Sequence, residues 1–290
     1  MATAASEEQA SDVERVLALM HDVEQAWSGV SDYIKVVEKT ERLVNGTMTR
    51  QIVQIKFQRP NRYYLQVLEG PKKGSELIYP KNADEPVAVA HAGGFAGGFS
   101  RFLKKTVLLR RIVPTEFSLQ DPNVIGGQHQ TVVDASLGNT IHRIADNLRT
   151  AAELGEGQMR VEQECSDTDE CMYRIDVELP ATAGQFHEVK DGESLWTIAA
   201  QYDCPMYVIW YNNPKMKKPT DLRPGRTVFV PRYYASQGRI WISPKSKLLS
   251  KLEIFDSRGN LYERYVYASI QTNVGLTDVD FDTENPDYGF

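Results

Sequence analysis

Cysteine is scarce in this chain of 290 residues, with only three, which is too few for a disulfide scaffold. Long apolar runs are absent, and nothing approaches the roughly 20 residues that span a bilayer as a helix. An excess of basic charge is absent as well. The 33 Lys and Arg against 39 Asp and Glu give a net charge of −6, a poor setting for nucleic acid. The opening Met1-Ala-Thr-Ala-Ala-Ser-Glu-Glu8 has neither the basic nor the apolar region of a secretory signal. That leaves a cytosolic protein, or one whose signal has been removed. Catalytic signatures are lacking too. His21, His91, His129, His142 and His187 are dispersed, and neither a Gly-x-Ser-x-Gly elbow nor a His-Glu-x-x-His pair occurs. No zinc spacing, metal-ligand set or cofactor motif is present.

What is present is ordinary globular material, 41% hydrophobic and 25% charged, long enough for roughly two domains. Ser11-Asp-Val-Glu14 reads as a capping box that opens an amphipathic helix carrying Val13, Val16, Leu17, Met20, Val23 and Trp27. From Tyr33 to Tyr79 the period falls to two, with turns at Asn45-Gly46, Arg59 to Arg62 and Gly70 to Gly74. This pattern predicts an antiparallel meander. Val87 to His91 adds a strand. The glycines of Gly93 to Phe99 suggest a hydrophobic flap. Phe99 to Val113 is a basic amphipathic stretch, suited either to anionic lipid or to packing with its charges solvated. Asp134 to Ala152 is helical in period, and Met159 to Cys165 with Met172 to Leu179 forms a hairpin. Cys165 and Cys171 flank its turn at a spacing that suits a bridge in an oxidising compartment; two thiols lying close is the alternative. After Gln237 strands resume at Arg239 to Ile242, Ser250 to Phe255 and Tyr262 to Gln271.

Between Gly184 and Gln237 the character changes. Gly192 permits a tight turn, Ser194 can cap a helix carrying Leu195, Ile198 and Ala199, and Val208, Ile209 and Tyr211 place a second helix. Leu222, Val228 and Val230 supply a closing strand, so the segment reads as a βααβ unit. Val189-Lys-Asp-Gly-Glu-Ser-Leu-Trp-Thr-Ile-Ala199, Tyr202, Asn212-Asn213 and Leu222 to Pro231 make it resemble a LysM domain. That resemblance implies binding of N-acetylglucosamine glycans such as peptidoglycan in a shallow groove. Its walls would be Asp191, Gly192, Glu193, Ser194 and Leu195 on one side. Asn212, Asn213, Pro214, Lys215 and Met216 would form the other. The long Pro214 to Pro219 loop departs from the family pattern and could widen the groove, add basic contacts or cover it. Residues 185–235 hold seven basic and five acidic side chains, a weakly basic balance that suits an anionic polymer.

The flanking chain is similar to a bacterial domain of unknown function, the family numbered 1571, and through it to the LolA/LolB-like lipoprotein-carrier superfamily. The residues concerned are Val53 to Leu65, Gly74 to Tyr79, Ser250 to Tyr267 and the tail Asn273 to Phe290. The resemblance implies an α+β fold: a curved antiparallel half-barrel with covering helices and an apolar concave face. Phe57, Tyr64, Phe255 and Tyr265 would line core or cavity. Asp278, Asp280 and Asp282 suggest a calcium loop, but Thr283 and Gly289 stand where it needs Gly and Glu, so the tail is expected to pack through Phe281, Tyr288 and Phe290.

The expected organisation is a half-barrel over 11–184 and 236–290, with the LysM-like module at 185–235 inserted between them. The expected function is non-enzymatic binding in the cell envelope or periplasm: glycan on the module, and a lipid, lipoprotein or protein partner on the half-barrel. A wall hydrolase, or a module that only packs, are the alternatives. No cofactor, nucleic acid or transmembrane segment is expected.

Overall fold

A computed structural model describes residues 2–82, 87–91, 114–119, 129–165 and 171–290, with side chains from residue 10 onward. The stretches Gly93 to Phe99 and Phe99 to Val113 lie outside the described residues.

Helix α1 spans Ala2–Ser28. It begins well before the Ser11 capping box expected from the sequence. Residues 2–9 are Ala, Glu and Gln among Ser and Thr, and the good helix formers carry the helix through Ser11, which is therefore interior to it. Val16, Met20, Val23 and Trp27 form its buried stripe.

Strands β1 (Asp32–Arg42), β2 (Met48–Gln58), β3 (Arg62–Glu69), β4 (Glu76–Tyr79), β5 (Ala88–His91) and β6 (Thr115–Phe117) follow as a meander. Helix α2 (Leu137–Leu154) is capped by Ser136, whose side chain accepts from the Asn139 N–H. Strands β7 (Gln158–Cys165), β8 (Cys171–Glu178), β11 (Gln237–Ile242), β12 (Leu249–Phe255) and β13 (Leu261–Thr272) complete the large sheet. Among the described residues it has eleven antiparallel strands in the order β6-β5-β4-β3-β2-β1-β13-β12-β11-β8-β7, curved and unclosed. First and last strands of the domain therefore meet at its centre, with Tyr33 opposite Thr272 and Glu41 opposite Glu263.

One face of this sheet is apolar by alternation. Tyr33 and Val37 on β1, Val53, Ile55 and Phe57 on β2, and Leu252 and Ile254 on β12 point to the same side. An aromatic row runs across it, with Phe57 stacked at 5.0 Å on Tyr33 and Tyr63 at 5.1 Å beyond. Helix α2 covers the face through Leu137, Ile141, Ala145, Leu148 and Ala151. Helix α1 packs on α2 and β7. The outer face of β2 to β4 is covered by the segment that follows β13. Tyr288 stacks on Tyr64 at 4.0 Å, Phe281 is buried beside them, and the Lys56 ammonium bonds Asp280 at 2.7 Å. Tyr64 thus belongs to this outer layer, whereas Phe57 and Tyr265 belong to the inner one.

Strands β9 (Gly184–Glu188) and β10 (Thr227–Pro231) pair with each other and with nothing else among the described residues. Between them lie helices α3 (Leu195–Gln201) and α4 (Met206–Tyr211). The unit leaves the large sheet after β8 and returns to β11, which are sheet neighbours. Its two ends are held together by the Leu179 N–H donating to the Ser236 carbonyl at 2.7 Å.

Candidate functional site

The inner face of the half-barrel is not filled evenly. Among the described residues two cavities interrupt it, of about 100 Å³ and about 70 Å³. The larger lies over β1 to β4 and β13, walled by Val37, Val53, Ile55, Leu65 and Leu77, with Tyr265 and Tyr267 on one flank and Lys35 in the wall. The smaller lies under α2, walled by Ile144, Leu148, Val177, Ile240, Leu252 and Ile254. Gln130 and Thr140 line both.

Polar groups converge where the cavities adjoin. Glu41 and Glu263 face each other across β1 and β13, and both are essentially excluded from solvent. Opposed carboxylates repel in such a pair, so each has acquired donors. The Tyr265 hydroxyl donates to Glu41 at 2.8 Å, and Lys39 stands 3.5 Å from the same carboxylate. Burial works against a charge on Glu41, but Lys39, His129 and the Tyr265 bond outweigh it and hold its pKa below the ordinary range. Glu263 accepts from the Tyr234 hydroxyl at 2.5 Å and contacts Nδ1 of His129 at 2.5 Å.

His129 organises this cluster. Its Nε2 lies 2.7 Å from the Arg42 carbonyl, an acceptor only, so that nitrogen carries a proton. Burial opposes a second proton, but Glu263 and then Glu41 overcome it and raise the pKa. The ring stacks on Tyr207 of α4 at 4.1 Å and is tilted against Tyr262 of β13 at 4.4 Å. The inserted unit therefore packs directly on the polar centre of the half-barrel.

The expected glycan residues occupy the two loops of the βααβ unit. Asp191 and Gly192 are exposed in the turn between β9 and α3, with Gly192 at φ +77°, a conformation that suits glycine. Glu193 is spent internally, accepting from the Lys190 N–H at 2.8 Å and contacting His187 at 2.7 Å. Ser194 caps α3 in a reciprocal pair with Thr197. Leu195 and Met216 are module core. Asn213 ties the second loop to β10, donating to the Phe229 carbonyl at 2.8 Å and accepting from the Phe229 N–H at 2.9 Å. Asn212, Pro214 and Lys215 are exposed. A ligand here would meet exposed backbone and the side chains of Asp191, Asn212 and Lys215.

Cys165 and Cys171 are joined as a disulfide at the β7–β8 end, and Cys204 is buried and free. Among the described residues no cluster of His, Cys, Asp and Glu is arranged to hold a metal, and no helix is long and apolar enough to cross a membrane.

The inner-face roles of Lys35, Glu41, His129 and Glu263 do not follow from any motif in the sequence. A signal exists for the strand members. Lys35 and Glu41 share the odd-numbered face of β1 with Tyr33 and Val37, so a charge falls in an apolar alternation.

No curated protein matches the chain. Similar solved structures include an uncharacterized conserved protein from Thermus thermophilus, at 6% identity and TM-score 0.39, covering 92% of each chain. A putative outer membrane lipoprotein-sorting protein domain from Vibrio parahaemolyticus is similar at 8% identity and TM-score 0.35, covering 93% of this chain and 97% of its own. A LolA superfamily protein from Nitrosomonas europaea is similar at 9% identity and TM-score 0.29, covering 91% of this chain and 96% of its own. The family described as "Protein of unknown function (DUF1571)" matches residues 30–223 and 227–290. That match runs from β1 through β9, α3 and α4 to the packed tail, so half-barrel and inserted unit fall within it together, and the chain belongs to this family.

Proposed function

We propose that this protein is a non-enzymatic binding protein of the cell envelope, with the half-barrel holding a small apolar or amphiphilic ligand and the inserted unit holding an N-acetylglucosamine glycan. The observation that carries the first part is the pair of cavities left open, among the described residues, on the apolar inner face. Interiors normally fill such space, and voids larger than a water are few. A pocket with apolar walls and a few convergent polar groups is the usual form of a small-molecule site.

The glycan part rests on the LysM-like residues and on the exposure of Asp191, Gly192, Asn212, Pro214 and Lys215 on the two loops. It makes the module, 185–235, a binding unit placed within the half-barrel domain. Peptidoglycan lies outside the cytosol, so this reading puts the protein in the periplasm or envelope, and a disulfide at Cys165–Cys171 suits that compartment.

Two measurements test the proposal. The intact protein should sediment with purified peptidoglycan, and a form with Leu179 joined to Ser236 by a short Gly-Ser link should stay in solution. Equal retention of both overturns the glycan part. Octanol should displace an anilinonaphthalene dye from the protein in a saturable way, and failure to do so overturns the apolar-ligand part. A second reading, in which the unit only packs, is favoured by the contacts of Tyr207 and Tyr211 with Tyr262. It stands if sedimentation is negative while excision lowers the melting temperature.

A further inference from the structure

The wall of the larger cavity contains one cationic side chain with no anion beside it among the described residues. Lys35 is 1% exposed. Its ammonium donates to the Ala135 carbonyl at 2.9 Å, and it lies 5.6 Å and 5.4 Å from the ring centres of Tyr33 and Tyr267. Among the described residues it forms no ion pair, and burial alone governs its titration. An ammonium has three protons to donate, so the bond to Ala135 leaves two. The other cation of this cavity, Lys39, is already paired with Glu41 at 3.5 Å. A strut to Ala135 would need only a neutral donor. Placing a charge in an apolar cavity costs several kcal/mol unless it is paired, and the protein's own described groups leave it unpaired.

We propose that Lys35 anchors the carboxylate of a medium-chain fatty acid bound on the inner face of the half-barrel. The proposal rests on the reading that this face holds a small apolar or amphiphilic ligand, and it names the ligand's head group. Size and charge define the class. A cavity of about 100 Å³ is smaller than the roughly 150 Å³ that takes a benzene ring, so it accepts a head group and the first few methylenes. Gln130 and Thr140 line the second cavity of about 70 Å³ as well, so the two adjoin, and in this proposal the chain would run on along Leu148, Leu252 and Ile254. The two spaces suit a chain of about eight carbons by the same comparison. A single ammonium matches a carboxylate monoanion and leaves a phosphate dianion undercompensated.

Burial pushes the Lys35 amine down to about 7, so without ligand the charge is partly lost near neutrality. The groups around it are the phenols of Tyr33 and Tyr267, with Lys39, Glu41 and Tyr265 farther along the same cavity wall. An entering carboxylate supplies the missing counter-charge and restores the ammonium.

The test is a titration of the full chain with octanoate and, separately, with octanol, followed by calorimetry or protein NMR at pH 7. Octanoate should bind at least about tenfold more tightly than octanol. In Lys35→Met the preference should vanish through loss of octanoate affinity, with octanol binding retained. Lys35→Gln, which keeps a donor for Ala135, gives the same comparison if the methionine variant does not fold. Equal affinity for the two ligands in the native protein overturns the anchor while leaving the apolar site standing. An octanoate preference that survives in Lys35→Gln or Lys35→Met also overturns it. Binding of neither ligand overturns the apolar-ligand reading and this inference with it.

Discussion

At the residue scale, Lys35 is a group the fold would be more stable without. Its amine titrates at about 7 in the folded chain and near about 10.4 when unfolded. Between those values the unfolded state binds more protons, so this residue makes stability rise with pH across that window. Lys35→Met should therefore raise the melting temperature at pH 7, and the gain should shrink as pH approaches 10. Thermal unfolding at both pH values checks this; a gain independent of pH would show that Lys35 does not titrate there. His129 has the opposite sign. Its pKa is raised by Glu263 against the pull of burial, so its contribution is full below about 6.5 and fades as pH climbs through the folded value. In Glu263→Gln the imidazole should lose its proton at a clearly lower pH than in the native protein, followed by NMR of the ring. These residues were hard to see in the sequence because β1 carries charge on both of its faces, with Glu38 outward and Lys35 inward. Only the partner strands decide which face is the interior.

At the scale of elements, α2 sits close against α1. A Cβ on Gly138 would come within 2.4 Å of the Trp27 ring. The Leu137 N–H beside it donates to the Tyr33 hydroxyl at 3.2 Å, which anchors the start of α2 to β1. Gly138→Ala should separate the two helices and cost about 1–3 kcal/mol, as overpacking does. Urea unfolding followed by Trp27-weighted fluorescence measures it. Local elements were largely legible, because turns and alternation are local. The Asn45-Gly46 hairpin and the β7–β8 hairpin lie where turn residues and period place them. The closing strand of the βααβ unit departs from the expectation: it is confined to Thr227–Pro231, and Leu222 instead ends a 3-10 turn over Pro219–Asp221, where Pro219 favours a helical start. The start of α1 was not legible, since good helix formers upstream outcompete a capping box. The pairing of β1 with β13 was not legible either, because no local pattern records which distant strand closes on which.

At the scale of the whole molecule, the inserted unit is tied in at several points. Its ends meet at the Leu179–Ser236 hydrogen bond, and Arg232 and Tyr233 reach Glu156 beyond α2 at 2.5 Å and 2.7 Å. Joining Leu179 to Ser236 should leave the large sheet folded with a lower melting temperature, since His129 loses the Tyr207 ring that covers it. Circular dichroism that keeps its strand signal through a lowered transition is the expected outcome; loss of that signal at low temperature would show that the unit is needed for folding. The turns of the unit are legible from local residues such as Gly192 and Ser194, whereas the polar centre around His129 depends on distant segments meeting in space.

The placement of β13 beside β1 also sets an order of events during synthesis. Strand β1 is made before every other strand of the sheet, yet its partner on one side is the strand made after all of them. Until β13 leaves the ribosome, the β1–β6 meander presents an open strand edge, the kind of surface that recruits stray chains. The growing chain must be sheltered through the whole run from β1 to β13. Strand β13 then fills the gap at β1, and the stretch behind it lays Phe281 and Tyr288 over the outer face. The sheet is completed from its middle, by the strand that is translated last.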